Sequence, residues 1–454
     1  VACALQSPPH GMTLRQLPRL ALFVVGMMAC AGSSDDPAPD PASDPEPPAA
    51  PPADPQASVT PPAKPPIVPS FPTVRTRGGP VIANPRVVPI VFAGDQAKDK
   101  IDTFTKKMAG SEYWTSVATE YGIGMLSAGD VLELAETPPA SILAANLERW
   151  LIAKLTGDTP ELGAPDANTL YAVYFPSSTK ITESNGDSCV AFDAYHGEIL
   201  AGDGTRVGYA VVSECGLLDE LTVATSHEIF EWATDPLPRS RPAWSLLDDA
   251  HWAWQQMMIG ELSDLCSFLD LDPIRPQEIG FMVQRHWSNK ASLAGQFPCA
   301  PSGGKPYFQS VPRIEDESLV PDITDVTGSK MIKTKAIRIA PAKSRTVDVL
   351  VYSDQPAKQT VDVQASTLAE VNGLPSESGF TFSLNKQRAT VGATLELTIN
   401  APKNSSFDIL VMTTSTDSKT VEYWPVLVTN DDGRDIQAGV PPGSPENRRI
   451  HRLR

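Results

Sequence analysis

Fifteen of the chain's 44 prolines fall between Pro37 and Pro72. Proline fixes φ at about −65° and removes the backbone donor, so this segment can complete neither a helix nor a central strand. Stretches such as Asp36-Pro-Ala-Pro-Asp-Pro41 also offer almost nothing apolar to bury. Residues 31–72 therefore read as an extended, polyproline-like spacer, and folded structure is expected from about Val74 onward.

Ahead of the spacer, Arg15 and Arg19 lead into the apolar run Leu20–Ala29, followed by Cys30 and a polar Ala-Gly-Ser-Ser-Asp-Asp. A basic flank, a short apolar core and a small residue before the cut make residues 1–29 an export signal. Cys3 and His10 would then be absent from the mature protein, and Met12 is an alternative start. A cysteine in this place resembles a bacterial lipoprotein box. Cys30 is accordingly the expected lipidation site, and residues 30–72 the tether that holds a domain off the membrane. Ordinary secretion with an incidental Cys30 is the alternative. Either way the expected location is the bacterial cell envelope, as a membrane-anchored lipoprotein or a secreted protein. No apolar run reaches the roughly 20 residues that span a bilayer. The formal charge is −17, with 54 acidic against 37 basic residues. That argues against a nucleic-acid partner, which needs clustered Lys and Arg.

Beyond the spacer, helical and strand patterns mix. Arg86–Phe92, Val131–Ala135, Thr169–Phe175 and Val207–Ser213 read as strands. Ile101, Phe104 and Met108 share a helical face, as do Trp114, Val117 and Tyr121, with Ser111 as N-cap. Ser141–Leu155 and Leu217–Thr234 are further helices, the second ended by Asp235-Pro236. Residues 73–305 are thus expected to form an α+β domain, and 306–329 a linker. Seven short strand-like runs punctuated by Gly, Pro, Asn and Asp then predict an immunoglobulin-like β-sandwich over 330–430, without His or Cys. Residues 431–454 form a tail with a basic end.

Removing Cys3 and Cys30 leaves Cys189, Cys215, Cys266 and Cys299, which allow three pairings. Export favours disulfides. Nearest-neighbour pairing, Cys189–Cys215 and Cys266–Cys299, closes two moderate loops. The alternative is a four-thiolate zinc site, but no Cys-x-x-Cys pair is present.

The chemical signal is Thr225-Ser-His-Glu-Ile-Phe-Glu-Trp-Ala-Thr-Asp-Pro236. His227 and Glu231 are four apart, so a helix places both on one face, within reach of one metal ion. Glu228 stands beside them and is the expected catalytic base on a water at that metal. This is the logic of H-E-x-x-H with Glu as the second ligand. Glu261, from Gly260-Glu-Leu-Ser-Asp-Leu-Cys266, is the expected third ligand. Asp264 and Asp235 are expected behind the ligands, as positioning carboxylates. The Glu261/Asp264 spacing looks like the downstream acidic segment of thermolysin-like gluzincins, where a Glu ligates zinc and an Asp orients a ligand histidine. The apolar flanks Ile229, Phe230 and Trp232 imply burial, and buried carboxylates need partners or a metal. The motif points to zinc, whereas the oxygen-rich donor set suits Mn or Ca. Two carboxylate ligands also neutralise the ion, which weakens its pull on water. His196 either lines this site or is a hydrogen-bonded loop residue. His286 reads as a strand residue. His251, among Trp244, Trp252 and Trp254, marks either a packing cluster or a carbohydrate platform.

Several motifs in order resemble the EXORDIUM, or phosphate-induced, family of secreted plant proteins with bacterial relatives. They are Ser111-x-Tyr-Trp114, Cys189 with Tyr195-His196, Tyr209-Ala-Val-Val212, Ser226-His-Glu-Ile-x-Glu231 with Asp235-Pro236, Glu261-Leu-Ser-Asp-Leu-Cys266, Val283-Gln-x-x-Trp-Ser-Asn289 and Cys299. The resemblance covers about residues 85–300. It implies an extracellular or cell-wall role with a zincin-like motif, and does not by itself imply proteolysis. Two functions compete. One is an envelope-anchored metal-dependent hydrolase acting on a peptide or cell-wall substrate. The other is a non-catalytic surface or adhesion protein in which metal and disulfides brace the fold.

Overall fold

A computed structural model describes residues 64–430, apart from 159, 185, 259, 270–272, 325–329 and 417–420. The export signal, Cys30, most of the spacer and the basic tail lie outside the described residues. The chain opens with β1 (Val74–Thr76), β2 (Arg86–Val91), α1 (Lys98–Met108) and α2 (Glu112–Ala118). Next come β3 (Ser127–Ala128), β4 (Leu132–Glu133), β5 (Ser141–Leu143) and α3 (Ala144–Lys154). Then β6 (Thr169–Phe175), β7 (Lys180–Glu183), β8 (Gly186–Asp187), β9 (Ala194–Leu200) and β10 (Arg206–Ser213) lead into α4 (Leu218–Thr234). The first part closes with β11 (Trp244–Leu247), α5 (Trp252–Met257), α6 (Leu262–Phe268), β12 (His286–Trp287), α7 (Asn289–Leu293) and β13 (Cys299–Ala300).

The central sheet has the order β3-β2-β6-β10-β9, with β4 also pairing β2. Its pairs are parallel except at the edge, where β9 joins β10 antiparallel with His196 opposite Ala210. The period-two alternation of β6 divides its side chains between two cores. Leu170, Ala172 and Tyr174 meet Ile229, Phe230 and Trp232 of α4. Tyr171, Val173 and Phe175 meet Leu147 and Leu151 of α3. A strand covered on both faces reads as the continuous apolar run seen at Thr169–Phe175.

Helix α4 is buried at every position from Leu221 to Thr234. Its first turn carries Asp219 and Glu220, and the Leu217 amide donates to Glu220 Oε2 at 3.1 Å, which suits the positive end of the helix dipole. It stops at Asp235, whose φ of −143° is non-helical, just before Pro236. Gly208 on β10 is required here, because a Cβ at that position would overlap the Trp232 indole.

The second part is built of β14 (Phe308–Pro312), β15 (Asp316–Pro321), β16 (Met331–Arg338), β17 (Ser344–Ser353) and β18 (Thr360–Thr367). It continues with α8 (Leu368–Val371), β19 (Thr381–Leu384), β20 (Arg388–Thr390), β21 (Thr394–Asn400), β22 (Phe407–Ser415) and β23 (Val421–Thr429). One sheet has the order β14-β17-β21-β19 and the other β15-β16-β23-β22-β18-β20. Val349, Val351 and Leu397 of the first share a core with Val363, Met412 and Val426 of the second. The arrangement is sandwich-like, with one parallel pair, β16–β23.

Three expectations need correction. The supposed linker 306–329 supplies β14 and β15, one to each sheet. Its alternation is masked because Gln309 and Ser310 are buried polar residues, Gln309 Nε2 donating to the Tyr423 carbonyl and Ser310 Oγ accepting from the Thr414 hydroxyl. The helix expected over 141–155 begins only at Ala144, because Ser141–Leu143 pairs with β7. Third, the spacer was drawn to residue 72, yet Phe71 is buried, its ring 5.0 Å from Trp424 and 6.4 Å from Trp254. Trp252 and Trp254 on α5 are likewise buried between the two parts, Trp252 against Val320, Ile332 and Leu427 of the larger sheet. These tryptophans are junction packing and present no open platform for a carbohydrate.

Both local disulfides, Cys189–Cys215 and Cys266–Cys299, are present. The first ties the turn before β9 to the segment entering α4. The second ties α6 to β13. Two such bonds fit an oxidising, extracytoplasmic compartment. Replacing both Cys266 and Cys299 by Ser should lower unfolding free energy by about 3–4 kcal/mol, the loop-closure value for a separation of 33 residues. Urea titration checks this, and an unchanged midpoint would exclude the bracing role.

Candidate metal centre

Three elements converge on one buried cluster. Helix α4 presents His227, Glu228 and Glu231, all fully buried. Strand β9 presents His196 from the edge of the sheet. Ala194, two residues earlier, packs in the core that α4 shares, so the strand period turns His196 toward α4 as well. The start of α6 presents Glu261 and Asp264.

The contacts are close. His227 Nε2 lies 3.1 Å from Glu231 Oε2 and 3.5 Å from Asp264 Oδ1. His196 Nδ1 lies 3.2 Å from Glu228 Oε2 and 3.9 Å from Glu231 Oε2, and its Nε2 lies 3.5 Å from Glu261 Oε2. Among the described residues, two groups have their ligand-capable atoms within 4.8 Å of one another: His227, Glu231 and Asp264, and His196, Glu228 and Glu231.

Backbone amides preset the carboxylates. Ser263 and Asp264 donate their amides to Glu231 Oε1 at 3.1 and 3.0 Å, leaving Oε2 turned to the imidazoles. The Glu261 amide donates to Asp264 Oδ2 at 3.1 Å, leaving Oδ1 turned to His227. Gly260 makes room for this, since its φ is +149° and a Cβ would collide with the Asp264 carboxylate. A second network holds α6 in place. His286 Nδ1 is 2.8 Å from Ser263 Oγ, its Nε2 is 2.6 Å from the Tyr113 hydroxyl, and its ring stacks on Phe230. Burial, then the nearby His227, keeps His286 well below the usual histidine range, so it is a neutral hydrogen-bonding ring.

The cluster wants positive charge. Burial alone would lower His227, but Glu231, Asp264 and Glu228 together raise it to about 10. Glu228 Oε1 is buried with no hydrogen-bond partner. Imidazole nitrogens and carboxylate oxygens are the donor types that divalent ions take, so the residues fit such an ion. These buried groups could hold a metal ion.

Against the sequence expectations, His227 and Glu231 stand together as expected. Asp264, expected behind the ligands, reaches His227 directly. Glu261, expected as the third ligand, is the N-cap residue of α6 and its Oε2 lies 3.5 Å from His196 Nε2. Glu228, expected to flank the ion of His227, is turned to His196. Asp235 accepts the Ala243 amide at 2.9 Å and fixes the loop after α4, with burial raising it to about 6. His196 is the residue that spacing could not place. Its signal was the alternation Ala194-Tyr-His-Gly-Glu-Ile199, hidden by a glycine and a glutamate inside the strand.

No protein-family model and no curated protein matches the chain. Among solved structures, domains 4 and 5 of the S-layer protein SbsC match with 15% identity and a TM-score of 0.16, over 29% of this chain and 80% of that one. A family 123 glycoside hydrolase from Clostridium perfringens matches with 9% identity and a TM-score of 0.18, over 27% of each chain. Domains 1–6 of SbsC match with 8% identity and a TM-score of 0.15, over 55% of this chain and 37% of that one. Likenesses of this size decide nothing about fold or function.

Proposed function

We propose that this chain is an exported metalloprotein of the bacterial cell envelope, with a divalent-metal centre that hydrolyses a peptide or cell-wall substrate. The observation that carries the reading is the buried group His227, Glu231 and Asp264, whose carboxylates are preset by amides so that one oxygen of each faces the same imidazole. A divalent ion there would supply Lewis acidity. Glu228, with His196 against one oxygen and the other unpartnered, is the adjoining group that handles the proton of an attacking water. The antiparallel edge strand beside the motif helix supports a zincin-like reading of the first part. Of the motifs that resemble the EXORDIUM family, His196, His227 to Glu231, and Glu261 with Asp264 meet in this centre, and that is the support for the kinship. An immunoglobulin-like module as spacer or adhesive unit suits the second part.

A second reading has its own support. Complete burial of His227, Glu228 and Glu231 suits a metal that braces the fold of a non-catalytic surface protein. Metal analysis of the purified chain, joined to a broad peptide library, tests both. Bound metal with cleavage supports the hydrolase, bound metal without cleavage supports the brace, and no metal under saturating supply overturns both.

Among the described residues no helix is long and apolar enough to cross a membrane. The anchor proposed here is Cys30, after the apolar run Leu20–Ala29. Cys30→Ser should move the protein from the membrane to the soluble fraction. Mass spectrometry finding an unmodified terminus, or a cut well away from Cys30, would remove the anchor.

A further inference from the structure

Glu231 is shared between two ligand groups. Its Oε2 is 3.1 Å from His227 Nε2 and 3.9 Å from His196 Nδ1, while its Oε1 is held by the Ser263 and Asp264 amides. The groups otherwise use different residues, His227 with Asp264 on one side and His196 with Glu228 on the other. Each side offers one imidazole, one carboxylate of its own and the common oxygen.

Charge points the same way. Glu228, Glu231, Glu261 and Asp264 are each buried, and His196 and His227 lie against them. Carboxyl groups crowded together out of water need compensating positive charge. The buried, unpartnered Glu228 Oε1 is an independent sign that the His196 side also expects a ligand.

We propose that the centre takes two divalent cations bridged by Glu231, one held by His227, Glu231 and Asp264 and the other by His196, Glu228 and Glu231. The inference rests on the metal reading above and extends it. Glu228 then acts as a ligand instead of a free base. Glu261, at His196 Nε2, is the outer carboxylate that orients the ring. The carboxylate-rich donor set suits Mn²⁺ on both sides, and ions that share a site in hydrolases stand about 3.5–4 Å apart.

The test loads the chelator-stripped mature chain with Mn²⁺, counts bound metal and records its electron paramagnetic resonance. Wild type should bind two ions per chain and give an exchange-coupled signal. His196→Gln should bind one and give an uncoupled six-line signal. Circular dichroism shows whether that variant is folded, and the wild-type coupling decides the matter without it. A single ion in wild type overturns the second site and leaves the single-ion reading standing. No ion overturns both. Two ions without coupling overturn the bridge through Glu231.

Discussion

Glu231→Gln should abolish the response of the protein to divalent metal. The variant keeps the size of the side chain, and its amide oxygen can still accept from Ser263 and Asp264, so the start of α6 stays docked. What it loses is the anionic Oε2 common to both ligand groups. Wild type should therefore be stabilised by added Mn²⁺ or Zn²⁺ by about 2.7 kcal/mol at one hundred times the dissociation constant, while the variant gains nothing. The metal-free comparison has its own sign. Removing the Glu231 charge breaks its buried pair with the protonated His227, so the chelator-treated variant should melt lower than chelator-treated wild type, and the increment on adding metal is the quantity compared. Thermal melts of both proteins with metal and with chelator give all four values. A variant that still binds metal and gains the wild-type increment would show that Glu231 is not the shared ligand.

The site was legible in part, for a physical reason. His227 and Glu231 share a helical face by spacing alone, and the apolar flanks signalled a buried helix, so the core of the centre lay within a few consecutive residues. The partners of those residues did not. Asp264 and Glu261 lie three apart, and spacing says only that both begin one helix. Which of them reaches His227 is set by the N-cap geometry of α6, where the Glu261 amide takes one Asp264 oxygen and turns the other toward the imidazole. His196 required knowing that β9 lies antiparallel at the edge of the sheet, above α4, which is a property of the assembled sheet. The same divide runs through the fold. Thr169–Phe175 was readable because burial on both faces leaves an unbroken apolar run. The strand Phe308–Pro312 was not, because its inward Gln309 and Ser310 find hydrogen bonds only once the sandwich has closed. Sequence likewise gave no sign that Phe71, at the end of a proline-rich tether, seats among the rings of Trp254 and Trp424.

Glu228→Gln separates a metal ligand from a free base. The substitution preserves shape and some hydrogen bonding to His196, and it removes the charge from a cluster carboxylate whose Oε1 is buried and unpartnered. Hydrolysis of whatever substrate a peptide or cell-wall library reveals should be lost together with the ion that Glu228 holds, whereas loss of a free base alone would lower it by about 10²–10⁴ with the metal retained. Metal content should fall by the ion on the His196 side and keep the ion on the His227 side, because His227, Glu231 and Asp264 are untouched. A variant that loses all metal would mean that Glu228 belongs to the primary ligand set. One that keeps both ions and still loses activity would return Glu228 to the role of a free base beside a complete centre. A variant as active as wild type would remove Glu228 from the chemistry altogether, and the carboxylate would then be retained for charge balance in a centre that braces β9 against α4.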